Sequence, residues 1–375
     1  MTIRAPEVFT APTSGKFEYE AVAMRQKTHS MLRAIVFAAI VLHLTACGTT
    51  RMSTSTPPGG APVTASSNAA SGPLLGAWWD ASHTGLRTVY GVVGAAYQGA
   101  PTFSDGSYSG GAACMQKNLA LLTTPSGSVF SVALPQGEPQ EISRNGIPKA
   151  SIVFSPSCTT SLIYAPGGSA ALLVQGLLSN PTATPVSFPI GNSVAAVADS
   201  GSILIAVSAA NGASSIQFLA GGTGSFQTVS VLGKFGGMAF LPGADTVLLA
   251  DALANTVVEA SHLTGPINLT PLAATADGIS QPMAVAVSAD GQLAAIANNS
   301  GSSVLRLDLS GKSAPIKTIC HCSPTELVPL AGNFAFRLNE PGSGTVWAFD
   351  GNGSLPRVIF IPTDQAVTTG HGGSL

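Results

Sequence analysis

Charged side chains are scarce in this sequence. Lys and Arg number 16 and Asp and Glu number 18 among 375 residues, so 9% of the chain is charged, against about 25% in an average soluble domain. The formal net charge of −2 gives no electrostatic basis for binding nucleic acid. Long apolar runs are missing too, since none reaches the roughly 18 to 20 residues of a membrane-spanning helix. These shortages exclude a nucleic-acid-binding protein and a polytopic membrane protein.

Sequence motifs of several enzyme and metal-binding families are also absent. The chain contains no P-loop, no GxGxxG between a strand and a helix, no GxSxG nucleophile elbow, no HExxH and no EF-hand loop. We therefore expect no cofactor. The sequence is rich instead in turn-forming residues, with 42 Gly and 26 Pro beside a hydrophobic fraction of 45%. Such a chain folds and turns often, and glycine does not recur at every third position as collagen requires.

The amino-terminal region has the pattern of an export signal. Arg25, Lys27 and Arg33 precede the apolar run 34–44, and small residues follow before Cys47. The four residues from Leu44 to Cys47 resemble the lipobox of bacterial lipoproteins. The resemblance implies that the Cys47 thiol carries a diacylglyceryl group, with palmitate-type chains, and that Cys47 becomes the first mature residue. Gly48 at the next position favours the outer membrane over the inner membrane.

These features divide the chain into four parts. Residues 1–46 form an upstream lead and signal peptide, and acidic residues before position 24 indicate a true start at Met24 or Met31. Residues 47–72 are the lipidated cysteine and a flexible tether rich in Ser, Thr, Pro and Gly. Residues 73–365 form the folded domain and residues 366–375 a flexible tail. We expect a monomer in the bacterial cell envelope that contacts the membrane through its lipid.

The folded domain contains a repeat. An apolar strand, a tight polar turn and a second apolar strand recur, most clearly in 284–297, where Asp290 and Gly291 form a hairpin signal. Equivalent positions are separated by 41, 43, 43, 47 and 41 residues; these positions are Ala113, Phe154, Val197, Phe240, Val287 and Val328. This period, with about four strands in each unit, is the spacing of propeller blades.

The repeat predicts an all-β, β-propeller fold with four-stranded blades. Six registers and the strand candidates within 74–112 give seven blades, with six as the alternative. Since the first blade is incomplete, a strand near the carboxyl end, from 357–361 or 365–368, is expected to pair with it and close the ring. Runs such as 285–291 resemble exported bacterial propellers of the YVTN and NHL-like type. That resemblance implies the fold, but propellers have too many functions for it to imply an activity.

Four cysteines remain after Cys47, an even number that favours two disulfides in an oxidising compartment. They are Cys114, Cys158, Cys320 and Cys322, and three pairings are possible. A bridge from Cys114 to Cys158 would join two successive blades. Two thiols flanking His321 could also bind a soft metal, whereas a disulfide between them requires a bend in the chain.

A propeller ligand site normally lies at the mouth of the central channel, on the loops that lead into first strands and the loops that join second to third strands. The candidates on this face are Lys149, Lys234, Asp251, Asn255, Gln281, Asn298, Asn299, Glu326 and Glu340. Asp245 and Asp290 are expected to cap turns, and His83, His262 and His321 to be exposed loop residues.

The leading hypothesis is a lipid-anchored binding or scaffold module for a protein or glycan partner, and not an enzyme. The alternative is a hydrolase with a metal at the channel mouth, because metal-dependent propeller lactonases resemble this architecture and use converging Glu, Asp and Asn ligands.

Overall fold

The computed structural model describes residues 72–189, 191, 193–341 and 345–362. Within these ranges the regular structure is antiparallel β-sheet with three single-turn 3₁₀ helices, and no helix there has the length and hydrophobicity to cross a bilayer. The predicted lead and signal, Cys47, almost all of the tether, and the tail 366–375 lie outside the described residues.

The strands form seven sheets in which chain neighbours pair with each other. Blade 1 consists of β1 (Leu74–Asp80), β2 (Gly85–Val92) and β3 (Ala95–Thr102). Blade 2 consists of β4 (Gly110–Cys114), β5 (Leu119–Thr123), β6 (Val129–Ala133) and β7 (Gln140–Ser143). Blade 3 consists of β8 (Ser151–Phe154), β9 (Thr160–Tyr164), β10 (Ala170–Gln175) and β11 (Thr182–Ser187). Blade 4 consists of β12 (Ser193–Val197), β13 (Ile203–Ser208), β14 (Ser214–Leu219) and β15 (Gln227–Leu232).

The remaining three blades have the same order. Blade 5 consists of β16 (Phe235–Phe240), β17 (Val247–Asp251), β18 (Thr256–Ser261) and β19 (Asn268–Ala273). Blade 6 consists of β20 (Pro282–Val287), β21 (Leu293–Asn298), β22 (Ser303–Asp308) and β23 (Ile316–Ile319). Blade 7 consists of β24 (Val328–Pro329), β25 (Ala335–Arg337), β26 (Val346–Asp350) and β27 (Arg357–Ile361). The prediction of a seven-bladed propeller is confirmed.

The predicted register is confirmed at four of its six positions, whereas Ala113 lies one residue before the end of β4 and Val328 is the first residue of β24. Phe154, Val197, Phe240 and Val287 are each the last residue of a first strand. The Asp290–Gly291 turn then leads into β21, and Gly291 adopts φ +72°, which a residue without a side chain reaches at little cost.

The hydrophobic core lies between neighbouring blades and not within any one of them. Leu204 of blade 4 shares a cluster with Val247 and Leu249 of blade 5, and Ile296 of blade 6 packs against Leu248 of blade 5. Each sheet therefore buries both faces, so its strands read as continuous apolar runs. This packing explains the low charge of the sequence.

The ring has two faces, which we name by their connections. The loop face carries the loops leading into first strands and those between second and third strands. The turn face carries the tight turns between first and second strands. Close to the axis, first strands approach each other closely: a Cβ on Gly237 would lie 2.8 Å from the Val285 nitrogen.

Aspartates of the turn face link neighbouring blades. Asp199 of blade 4 accepts hydrogen bonds from the Ser157 backbone (2.9 Å) and hydroxyl (2.8 Å) in blade 3 and from the Gly243 backbone (2.9 Å) in blade 5. The amide of Asn333 in blade 7 donates to Asp290 of blade 6 at 2.8 Å. Asp290 also caps its own turn, since it accepts from the Gln292 backbone. The capping role predicted for this turn is confirmed, and the bonds between blades are an addition.

Blade 7 and blade 1 close the ring by packing face against face. The backbone of Ala331 donates to the Leu75 carbonyl at 2.7 Å, and Leu75 and Trp78 share a cluster with Leu330 and Val346. The prediction that 357–361 pairs with blade 1 is wrong. These residues form β27, which pairs with β26, because the turn after Asp350 folds them back onto their own sheet. The other predicted segment, 365–368, lies outside the described residues.

Candidate functional site

A cavity of about 550 Å³ follows the axis of the ring. Its wall is formed by the first strands of blades 2 to 7 and by β1 of blade 1, and small residues such as Ala112, Ala195 and Ala286 line it. The volume falls within the range of about 300 to 1,000 Å³ typical of small-molecule sites. The channel is therefore wide enough for a ligand group or for a side chain of a partner.

Charged side chains meet at the loop-face end of this cavity. Arg337, at the end of β25, forms an ion pair with Glu326 in the loop leading into blade 7, with 3.0 Å between Nη2 and Oε1. The backbone nitrogens of Thr325 and Glu326 both donate to the Leu338 carbonyl, which holds this loop against the end of β25. Glu326, Arg337 and Glu340 all line the cavity. We call these three residues the mouth cluster.

Trp78 of β1 supports the mouth cluster from the side of blade 1. Its ring lies 5.3 Å from the Arg337 guanidinium carbon, within the distance of a cation–π interaction. Arg337 is only 7% exposed, so its charge is held between an aromatic face and a carboxylate. This contact fixes the guanidinium and joins blade 7 to blade 1.

Burial dominates the ionisation of the mouth cluster. It raises the pKa of the Glu326 carboxyl, and the Arg337 guanidinium opposes this rise only in part. Burial likewise lowers the pKa of the Arg337 guanidinium, against the influence of the two glutamates. The Glu340 charge acts on both residues while Glu340 itself is exposed. The cluster thus has a buried guanidinium, a half-buried carboxylate paired with it, and one carboxylate open to solvent.

Three other sequence-predicted candidates act on the loops of this face. Asp251 accepts four backbone N–H bonds, from Gly233, Lys234, Leu253 and Ala254, at 2.7 to 3.2 Å. Burial opposes its ionisation, but these bonds outweigh that effect and hold its pKa below the usual value. Asn298 is buried and bonds the Ser280 nitrogen and the Gly278 carbonyl. Asn255 accepts from the Gln281 nitrogen at 2.6 Å. Their polar atoms shape the loops.

The structure brings together only part of the predicted set. Glu326 and Glu340 line the cavity, whereas the other seven candidates lie outside its lining; these are Lys149, Lys234, Asp251, Asn255, Gln281, Asn298 and Asn299. Lys149, Lys234, Gln281 and Asn299 are exposed. Among the described residues no three His, Cys, Asp or Glu side chains form a group able to hold a metal ion.

Sequence reasoning missed Arg337 and the role of Trp78. The available signal was that Arg337 is the one charged residue in the otherwise apolar segment 334–338. A charge in such a second strand is buried, and a buried charge requires a partner.

Sequence reasoning also missed a polar cluster in the loop between β1 and β2. Asp80 is buried and is bonded by His83 Nδ1 (2.8 Å) and Arg87 Nε (2.9 Å). Burial opposes ionisation of Asp80, but the bonds from Ser82, Arg87 and His83 lower its pKa well below the usual range. Ser82 also contacts Nδ1 of His83. In a catalytic triad, one ring nitrogen of the histidine bonds the carboxylate and the other bonds the nucleophile. Here Asp80 and Ser82 contact the same nitrogen of His83, so the three residues do not form a triad. His83, His262 and His321 are exposed, as predicted.

Both disulfides are present. Cys114 at the end of β4 bonds to Cys158 in the first turn of blade 3, with Cα atoms 5.9 Å apart. Cys320 and Cys322 are bonded to each other, and their Cα atoms are 5.0 Å apart because the chain bends between them. In this state neither thiol is available to a metal.

No protein-family model and no curated protein matches this sequence. Solved structures do resemble the chain. A protein of unknown function from Desulfotomaculum acetoxidans DSM 771 is 14% identical, covers 77% of this chain and 99% of its own, and has a TM-score of 0.51. Apo AztD from Citrobacter koseri is 11% identical over 74% and 78% of the two chains, with a TM-score of 0.48. A streptogramin B lyase is 14% identical over 66% and 80%, with a TM-score of 0.46. At these identities the similarity concerns the fold alone.

Proposed function

We propose that this protein is an exported, lipid-anchored propeller of the bacterial cell envelope, which binds a protein or glycan partner on its loop face. The partner contacts the mouth cluster, and the axial cavity receives one of its side chains or sugar groups. The lipid on Cys47 holds the ring at the outer membrane, and the tether gives it reach.

The observation that carries the binding proposal is the mouth cluster. The Glu326–Arg337 pair, in which the buried guanidinium is held by Trp78, presents fixed charges beside a cavity of about 550 Å³. Groups that are fixed before binding lose little entropy when a partner arrives. Glu340 adds an exposed carboxylate at the same rim. On the turn face, by contrast, several aspartates are already bonded to neighbouring blades.

Charge reversal on each face tests the binding proposal. Glu340→Lys changes the mouth cluster by two charges without removing a buried group. Lys312→Glu makes a change of equal size at an exposed turn-face position. Immobilised wild-type protein and both variants are exposed to envelope extracts, with cross-linking and identification of what is retained. We expect the wild type and Lys312→Glu to retain the same species and Glu340→Lys to lose it. Equal retention by Glu340→Lys would contradict the proposal.

The lipid anchor has its own test. Cys47→Ser removes the only thiol that the lipobox resemblance designates for acylation, so this variant should leave the membrane fraction and incorporate no palmitate analogue. A Cys320→Ser/Cys322→Ser variant serves as the control and should stay in the membrane fraction. Membrane association that survives Cys47→Ser overturns the anchor while leaving the binding proposal intact.

The alternative, a metal-dependent hydrolase at the channel mouth, has Glu326 and Glu340 as the carboxylates that line the cavity. Elemental analysis of purified protein distinguishes the two functions. A stoichiometric metal that is lost in Glu340→Gln, together with lactone hydrolysis, would replace the binding proposal by the enzymatic one.

A further inference from the structure

The two disulfides of the ring differ in what they hold together. The Cys114–Cys158 bridge joins blade 2 to blade 3 across a sequence separation of 44, and both of its cysteines are buried. The Cys320–Cys322 bridge joins residues two apart within a single loop. Because a disulfide restricts the unfolded chain less when the loop it closes is shorter, the second bridge adds little to the stability of the fold. A role other than stabilisation is therefore expected for it.

The Cys320–Cys322 bridge is open to solvent on one side. Cys320 is 3% exposed and packs with Phe336 in the core between blades 6 and 7. Cys322 is half-buried, and its sequence neighbours His321 and Ser323 are exposed. Since thiol–disulfide exchange requires that an attacking thiolate reach one of the two sulfurs, the attack falls on Sγ of Cys322 and displaces Sγ of Cys320.

The bridge also lies at the start of the loop that positions a residue of the mouth cluster. This loop joins β23 of blade 6 to β24 of blade 7. Near its end the backbone nitrogens of Thr325 and Glu326 donate to the Leu338 carbonyl. At its start Cys322 packs against the core cluster that contains Leu338, and the bridge ties it to the buried Cys320. Opening the bridge removes this tie and loosens the loop that carries Glu326.

We infer that the Cys320–Cys322 bridge is a site of thiol–disulfide exchange with a dithiol, and that its opening releases the loop of Glu326. One thiolate of the dithiol attacks Cys322 Sγ, forms a mixed disulfide and displaces the Cys320 thiolate. The second thiolate attacks the dithiol's own sulfur in the mixed disulfide and displaces the Cys322 thiolate. The dithiol becomes a disulfide, the bridge gains two electrons, and the two protons of the dithiol move to Cys320 and Cys322.

A dithiol is the co-reactant that the spacing of the two cysteines favours. After the first attack, the displaced Cys320 sulfur remains beside the mixed disulfide and expels a monothiol by reclosing the bridge. A second thiol on the attacking molecule competes with this reclosure, because its attack is intramolecular as well. The inference does not depend on which partner binds the loop face.

Reduction of the unmodified full chain tests the exchange site. The protein is treated with dithiothreitol, a small dithiol, or with reduced thioredoxin, a protein dithiol, and the freed thiols are alkylated and located by mass spectrometry. We expect Cys320 and Cys322 to be labelled roughly a hundredfold faster than Cys114 and Cys158. Opening by dithiothreitol alone identifies a small dithiol as the co-reactant, and opening by both reagents admits a protein dithiol. Equal labelling rates for the two bridges overturn the inference.

Hydrogen exchange of the same protein before and after opening tests the release of the loop. Exchange of the Thr325 and Glu326 N–H groups should rise about tenfold when the bridge is reduced. The loop that leads into blade 5 is the internal control, because Gly233 and Lys234 are held there by hydrogen bonds to Asp251. Exchange at these two positions should not change. Unchanged exchange at Thr325 and Glu326 overturns the release of the loop.

Two single substitutions identify the attacked sulfur. Cys320→Ser leaves the half-buried Cys322 as a free thiol, and Cys322→Ser leaves the buried Cys320. With oxidised glutathione, Cys320→Ser should form a mixed disulfide roughly tenfold faster than Cys322→Ser. Equal rates overturn the assignment of Cys322 as the accessible sulfur. The two preceding measurements use the unmodified chain, so they decide the inference even where a variant does not fold.

Discussion

The two faces of the ring use their acidic side chains differently. On the turn face, Asp199 and Asp290 form hydrogen bonds to neighbouring blades, and their carboxylates serve the packing of the ring. On the loop face, the half-buried Glu326 pairs with the buried Arg337 at the rim of a cavity, and Glu340 is exposed. The two turn-face carboxylates therefore join blades, whereas Glu326 and Glu340 lie at the rim of the cavity.

The largest effect is expected at the mouth cluster. Arg337→Met leaves the half-buried Glu326 without its cation. Breaking a fully buried pair costs about 3 to 5 kcal/mol in the free energy of unfolding, and the partial exposure of Glu326 places the expected loss at the lower end of that range, about 3 kcal/mol. Urea denaturation measures the loss. The double variant Glu326→Gln/Arg337→Met should recover much of it, because the uncompensated carboxylate is gone. If the double variant is no more stable than Arg337→Met, the loss comes from packing on Trp78 and not from charge.

A smaller loss is expected on the turn face. Asp199→Ala removes the acceptor shared by Ser157 and Gly243 and should cost about 1 to 3 kcal/mol. Denaturant titration measures this change too. Asp308→Ala is the matched control because the donors to Asp308, Ser310 and Ser313, lie in its own turn. An equal loss in the two variants would show that the bonds between blades add nothing beyond turn capping.

The smallest effect is on the pH dependence of stability, where the contributions of Asp199 and Glu326 have opposite signs. Burial raises the pKa of Asp199, but the bonds from Gly243, Ser155 and Ser157 outweigh it, so the folded pKa is lowered. The stabilisation from Asp199 is therefore present above the unfolded pKa of about 3.9 and is lost as pH falls below it. The folded pKa of Glu326 is raised, so its contribution is present below about 4.3 and is lost as pH rises through the folded value.

Melting temperatures between pH 2.5 and 7 test these signs. The deficit of Asp199→Asn relative to the wild type should shrink as pH falls below about 4. Glu326→Gln should gain stability relative to the wild type as pH rises above about 4.3. Parallel curves for either variant would contradict the corresponding pKa direction.

The fold could be predicted from the sequence because its signals are local. Val197, Phe240 and Val287 each precede a tight turn and a second apolar run, and this pattern recurs with a nearly constant period. The segment 357–361 was assigned to the wrong blade because a strand pattern indicates that a segment pairs but does not indicate with which edge.

The candidate site was less predictable. Asp251 and Asn298 lie on the loop face, as predicted. Their side-chain oxygens accept hydrogen bonds from loop backbone and do not face the cavity, and these bonds depend on a loop geometry that the sequence does not reveal. Arg337 could not be predicted as a site residue because its two partners are not its neighbours in the sequence. Trp78 lies in blade 1, across the ring closure, and Glu326 lies in the loop that leads into blade 7. The pairing of four cysteines likewise depended on distances that only the folded ring provides.

The Cys114–Cys158 bridge also affects the order in which the ring can be assembled. The two cysteines are separated by 44 residues, so both are present once the first two blades and the first strand of blade 3 have been synthesised. An oxidising enzyme could then covalently fasten blade 2 to blade 3 while the remaining blades are still unfolded chain. The later blades would add to a fixed pair one after another, and ring closure would be the last step.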